Sequence, residues 1–253
     1  AAGDFDNDEK VDFYFSNVGT TVPDFLGRGD LRPDQPYRRS LLLMKNLGNF
    51  QFEDVSDPTR TANYEFSWGV LMRDLNLDGL QDILIAENYV DFPLHKLFKL
   101  PGRILMQNRV GKFASVERRM GLENREAEIT PLVADFNRDG IPDIIRVNLG
   151  SRSRTFISAG SSNFRSIGVK FPHTVKILGT KVILNFSSGR KITNFIIAGE
   201  GLGSDQSREI LFGLFANDKP TSLDIVLPSG RKKTFLIRDG QSQYSYSDGA
   251  LGL

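Results

Sequence analysis

Three short stretches carry oxygen-bearing side chains at one common spacing. In "DLNLDGLQD" these are Asp74, Asn76, Asp78 and Asp82. In "DFNRDGIPD" they are Asp135, Asn137, Asp139 and Asp143, and in "DFDNDEKVD" Asp4, Asp6, Asp8 and Asp12. Positions 1, 3, 5 and 9 of each loop thus present carboxylates or an amide. Hard oxygens at this density form a cage for a hard cation, and Ca²⁺, which takes about six to eight oxygens in loose geometry, suits them. Gly79 and Gly140 at position 6 permit the positive φ of a sharp turn. Glu9 stands there in the first loop, which predicts a strained or altered backbone. An Asx-rich β-turn that binds nothing has the same composition.

Other candidates for chemistry are sparser. His95 and His173 are the only histidines, and neither sits in a Ser/Asp pattern that suggests a triad. "GEGLG" at 199–203 lacks the strand-to-helix setting of a phosphate loop and reads as a hairpin connection. Arg28-Gly29-Asp30 spells the integrin-recognition tripeptide in a polar loop. "GRKKTF" at 230–235 reads as a solvated basic hairpin that could meet an acidic glycan or phosphate surface. Tyr64, Phe66 and Trp68 read as core packing rather than a sugar-stacking platform.

The elements that must position the loops follow from what comes after them. "DFYFSN", "DILIAEN" and "DIIRVN" are short, rich in β-branched and aromatic residues, and apolar at consecutive positions. A strand buried on both faces has that pattern. An EF-hand would need a Glu at position 12 and then a helix; position 12 holds Phe15, Ile85 and Arg146. A dockerin-type loop also leads into a helix. Loop starts at 4, 74 and 135 lie 70 and 61 residues apart, and each copy ends in Asn17, Asn88 or Asn148. Between them "LLLMKNLGNFQFEDVS" at 41–56 is echoed by "RILMQNRVGKFASVE" at 103–117, with "RTFISAGSSNF" at 154–164 a degraded third copy. Repeats of this length built from short strands predict propeller blades or another all-β array.

"SWGVLMRDLNLDGLQDILIAEN" and "TPLVADFNRDGIPDIIRVN" resemble the FG-GAP or VCBS repeat of integrin α-subunit propellers and many secreted bacterial proteins. The resemblance implies Ca²⁺ ligation by Asp74, Asn76, Asp78 and Asp82 with the Leu80 carbonyl. It implies the same for Asp135, Asn137, Asp139 and Asp143 with the Ile141 carbonyl, and for Asp4, Asp6, Asp8 and Asp12 with the Lys10 carbonyl. Residues 164–253 form a second string of short strands with turns at Ser188-Gly189 and Ser229-Gly230. "GTKV" at 179–182, "GSDQSREILFGL" at 203–214 and "LDIVLPSGRKK" at 223–233 resemble the ASPIC/UnbV domain, which follows FG-GAP repeats in the cartilage acidic protein family. Phe215 replaces a usual Gly and Leu227 a usual Trp, so no role of that Trp carries over. The expected fold is all-β: a partial propeller of about three blades over 1–163, then a small all-β domain over 164–253. Such propellers usually have seven blades, so either N-terminal blades are missing, with the chain starting mid-domain, or the propeller does not close as usual; missing blades are the expectation.

Bulk composition narrows the functional class. The formal net charge is +1, which gives no global pull toward nucleic acid or membrane. It is divided, however: 18 Lys/Arg against 24 Asp/Glu over 1–151, and 14 against 7 over 152–253. Absence of Cys removes disulfide, thiolate and zinc–thiolate chemistry. No stretch approaches the roughly 20 apolar residues of a spanning helix. The expectation is a non-catalytic, Ca²⁺-stabilised recognition or adhesion module for a protein or glycan, secreted, periplasmic or on the cell surface. The alternative is an enzyme or accessory protein of natural-product metabolism, a context associated with UnbV-type proteins.

Overall fold

The computed structural model describes residues 1–19, 23–89, 99–159, 165–247 and 249–252. His95 and part of the 154–164 stretch lie outside them. Three single helical turns aside, the regular structure among the described residues is β-strand, arranged as five sheets in a propeller-like fashion. The first sheet holds β1 (Ala2–Gly3), β2 (Asp12–Phe15), β3 (Leu42–Gly48) and β4 (Gln51–Asp54) in that order. The second holds β5 (Ser67–Arg73), β6 (Asp82–Glu87), β7 (Arg103–Gln107) and β8 (Phe113–Ser115). The third pairs β9 (Glu128–Ala134), β10 (Asp143–Asn148) and β11 (Arg154–Phe156). Pairing within these three sheets is antiparallel. Each acidic loop is the turn that joins β1 to β2, β5 to β6, or β9 to β10.

The second sheet is packed on both faces. Met72, Ile83 and Ile85 meet Tyr14, Leu41 and Leu43 of the first sheet's side. Leu71, Leu84 and Ile104 meet Val133 and Ile144 of the third. That is why "DILIAE" of β6 is buried at all six positions. Each aliphatic side chain so buried contributes about 1.5–3 kcal/mol relative to exposure. The first sheet buries only one face. On the other, Phe13 lies 6.1 Å from Phe15 and 5.7 Å from Phe52 between ring centroids, and Phe15 and Phe52 stay 49% and 41% exposed.

The remaining strands are β12 (Arg165–Lys170), β13 (Lys181–Phe186), β14 (Lys191–Phe195), β15 (Glu209–Leu214), β16 (Pro220–Val226), β17 (Lys232–Leu236), β18 (Gln243–Ser247) and β19 (Ala250–Gly252). They form two four-stranded sheets, ordered β15-β12-β18-β19 and β14-β13-β16-β17. The β12–β18 pair is parallel. Ile167, Val169, Phe212 and Tyr244 of one sheet close a core with Val182, Leu184, Leu223 and Ile225 of the other. Among the described residues no helix is long and apolar enough to cross a membrane.

Candidate functional site: three acidic loops beneath the C-terminal module

All three loops use one hydrogen-bond scheme. The position-1 carboxylate accepts the backbone N–H groups of positions 5 and 6: Asp4 from Asp8 and Glu9, each at 2.9 Å, and Asp74 from Asp78 at 3.1 Å and Gly79 at 2.8 Å. Asp135 does the same with Asp139 at 3.0 Å and Gly140 at 2.8 Å. The position-5 carboxylate accepts the N–H of position 7, from Lys10, Leu80 and Ile141. Positions 1, 3 and 5 are therefore drawn together. In the first loop carboxylate oxygens of Asp4, Asp6 and Asp8 all lie within 4.8 Å of one another. In the other two the position-3 amides of Asn76 and Asn137 donate to Asp78 and Asp139 at 3.1 and 2.9 Å.

Position 9 is placed differently. Each of these aspartates is completely buried and spends both oxygens on backbone N–H groups. Asp12 accepts from Phe5 and Asn46, Asp82 from Leu75 and Gln107, and Asp143 from Phe136 and Ser158. The first donor of each pair is inside the loop. The second lies in or just after the third strand of the same sheet. Position 9 thus staples the turn to its sheet, a role that a ligand-type spacing does not reveal.

Electrostatics separates the loops. Burial pushes the Asp4 carboxyl up to about 6 and that of Asp74 up to about 7, against the pull of the backbone N–H groups they accept. Asp12 is raised to about 7 and Asp82 well above its usual range, again by burial. These are carboxylates gathered out of water, whose charged form a divalent cation would restore. The donor set, hard oxygens from Asp and Asn, fits Ca²⁺. The first loop already holds positive charge: the Lys45 ammonium bonds Asp6, and the Lys10 ammonium bonds Asp8 at 2.6 Å.

The loop tips face the C-terminal module. Glu9 reaches Lys191 at 2.6 Å and Lys181 at 3.4 Å, and the Lys191 contact holds its carboxyl below the usual range. Glu9 keeps the left-handed conformation of its glycine counterparts, with φ of 67° against 80° at Gly79 and 83° at Gly140. The turn geometry is therefore unaltered, and the strain that a non-glycine residue brings to this conformation stays with Glu9, which links two modules. Asn7 donates to the Gly79 carbonyl at 3.2 Å, which ties the first loop to the second. The Leu77 main chain presses so closely on Gly213 of β15 that a Cβ there would overlap it. Ser166 donates to the Gly140 carbonyl at 2.6 Å. "GEGLG" works as a strap at the same junction: Glu200 pairs with Arg73, and the Leu202 N–H donates to Thr130 at 3.2 Å.

The other singled-out residues have ordinary surroundings. The Arg28 guanidinium is occupied by the Arg32 carbonyl at 2.7 Å and lies over Tyr37, so the tripeptide does not present a free arginine. Trp68 is half-buried against Phe66 and donates to the Asn88 carbonyl at 3.2 Å. His173 is exposed. Two buried charge groups escaped the sequence reading. Glu87, Arg103 and Glu117 form one, with both carboxylates 3.0 Å from the guanidinium. Arg146 and Glu128, both wholly buried and 2.7 Å apart, form the other. The available signal was a charge closing or interrupting a buried strand, in "DILIAE" and "DIIRVN". The terminal Asn of each copy anchors a carbonyl from a following segment. Asn17 holds that of Arg38, Asn88 that of Glu128 and Asn148 that of Arg152.

Residues 173–249 match the family model described as ASPIC and UnbV. No curated protein matches the chain. An ASPIC/UnbV domain thus follows a propeller-like arrangement of sheets, and it lies on their acidic loops.

Proposed function

We propose that this chain is a Ca²⁺-stabilised recognition module, exported and non-catalytic, that binds a protein or glycan. In this reading the sheets over 1–156 are FG-GAP/VCBS-type blades, and the open aromatic face of the first sheet is one that a preceding blade covers. The observation that carries the reading is the threefold recurrence of one loop geometry, with the position-1 carboxylate fully buried in the first loop and half-buried in the other two, and with the first two tips under the ASPIC/UnbV domain. A bound cation would neutralise each loop and brace the surface on which the domain rests. The second loop, with Asp82 buried, Asp74 and Asp78 half-buried and no lysine paired to it among the described residues, is the tightest site. The first must displace the Lys45 ammonium.

The test is thermal melting in millimolar Ca²⁺ and in excess EGTA, with bound metal counted by elemental analysis. Occupancy at about a thousandfold above Kd adds roughly 4 kcal/mol. Asp78→Ala and Asp139→Ala are expected to lower the melting temperature in Ca²⁺ and to change it little in EGTA. Equal losses in both conditions, or no calcium in the purified chain, would discard the cation.

A further inference from the structure

A broad concavity lies beside the loops rather than in them. It is a cleft of about 1120 Å³ between the third loop and the ASPIC/UnbV domain. Its walls come from the loop tip, the start of β12, the β15–β16 turn and the β17–β18 connection. Each wall contributes a cation: Arg138, Arg165, Lys219 and Arg238. All four are exposed, and none makes an ion pair with a described residue. The carboxylates beside them are largely committed. Asp139 accepts from Asn137 and Ile141, and Asp218 pairs with Arg190 at 3.2 Å and accepts the Phe215 N–H. Asp139 and Asp239, neither in an ion pair with a described residue, stand against the four cations, and Glu209 interacts with Arg138 from beside the cleft. Asn217 and Gln241 add amide donors and acceptors. No aromatic side chain lines the cleft.

Aromatic faces are what unpaired bases and the apolar faces of sugars stack on. A cleft of cations and amides without them selects by charge and hydrogen bonding. We propose that this cleft binds an acidic polysaccharide through its sulfate or carboxylate groups. This deepens the recognition reading and rests on it.

The test titrates the full chain with four labelled probes: a heparin oligosaccharide, an oligogalacturonate, a neutral dextran oligomer and a single-stranded oligonucleotide of matched charge. The same probes are applied to a variant with Arg165→Glu, Lys219→Glu and Arg238→Glu, whose melting curve is compared with the wild type. Lys219→Glu alone, in an exposed turn, serves if the triple variant misfolds. Binding of an acidic glycan is expected to fall with added salt and to weaken about tenfold to a hundredfold in the triple variant. Preference for heparin or for galacturonate identifies sulfate or carboxylate as the recognised group. No binding of either acidic glycan, unchanged binding in the charge-reversed variant, or tighter binding of the oligonucleotide would overturn the proposal. Dextran binding untouched by charge reversal would remove the cleft and leave recognition standing. Loss of the Ca²⁺-dependent melting shift would remove the recognition reading's calcium and leave the cleft standing.

Discussion

Glu9 shows how one residue can satisfy two conflicting demands. A left-handed non-glycine residue costs about 1 kcal/mol or more, yet only a side chain can reach Lys181 and Lys191. Glu9→Gly is expected to relieve the strain and lose the link, so its urea midpoint stays near that of the wild type. Glu9→Ala keeps the strain and loses the link, and its midpoint falls. A Glu9→Ala midpoint equal to that of the wild type would show that the lysine contacts contribute nothing. Glu87 makes a pH prediction. Burial raises its carboxyl from 4.5 to about 7, more than Arg103 lowers it. The folded pKa exceeds the unfolded one, so the contribution of Glu87 to stability is greatest below about pH 4.5, declines as pH rises to about 7, and then levels. The loss approaches roughly 3 kcal/mol. Glu87→Gln retains an oxygen for the Glu65 N–H and is expected to make the decline in urea midpoint between pH 5 and 8 shallower, the remainder coming from Asp4, Asp12 and Asp74, which titrate in the same window. An unchanged slope would place the titration elsewhere.

At the scale of the element, the unit is a turn clamped by its ninth residue. Asp82→Asn turns an amide nitrogen toward one of two N–H donors, Leu75 or Gln107. It is expected to cost about 1–3 kcal/mol, with Ca²⁺ or with chelator, measured by denaturant unfolding; a loss seen only in Ca²⁺ would make Asp82 a ligand rather than a clamp. The all-β reading was legible because consecutive apolar residues in "DILIAE" admit little else than a strand covered twice, and β6 is covered twice. The gathering of positions 1, 3 and 5 was legible from spacing. The clamp was not, because its second donor comes from residues such as Asn46 or Gln107, far along the chain. Nor were the Arg146–Glu128 and Arg103–Glu87 pairs, since composition does not say which charge will be enclosed.

At the scale of the molecule, the modules share a junction that no local pattern announces. Leu77 and Gly213, or Glu9 and Lys191, lie more than a hundred residues apart in the chain. The Glu9 contacts follow the split of charge, acidic then basic, but Arg73–Glu200 runs the other way. Gly213→Ala would force the Leu77 turn away from β15. In calorimetry the wild type is expected to give one transition and this variant two, or one broadened at its lower edge. A variant that melts as sharply as the wild type would mean that the modules are not thermodynamically coupled there.

The arrangement of the loops also has a consequence for isotope exchange. Turn amides ordinarily trade hydrogen for deuterium within seconds, as they face solvent. The amides of Asp8, Glu9, Asp78 and Gly79 instead donate to the carboxylates of Asp4 and Asp74, with the ASPIC/UnbV domain lying over their tips. Those of Asp139 and Gly140 sit in a loop that remains largely exposed. Labelling followed by mass spectrometry should find the first two turns as slow as strands and the third fast. The slow pair would then serve as a clock for how often the two modules part.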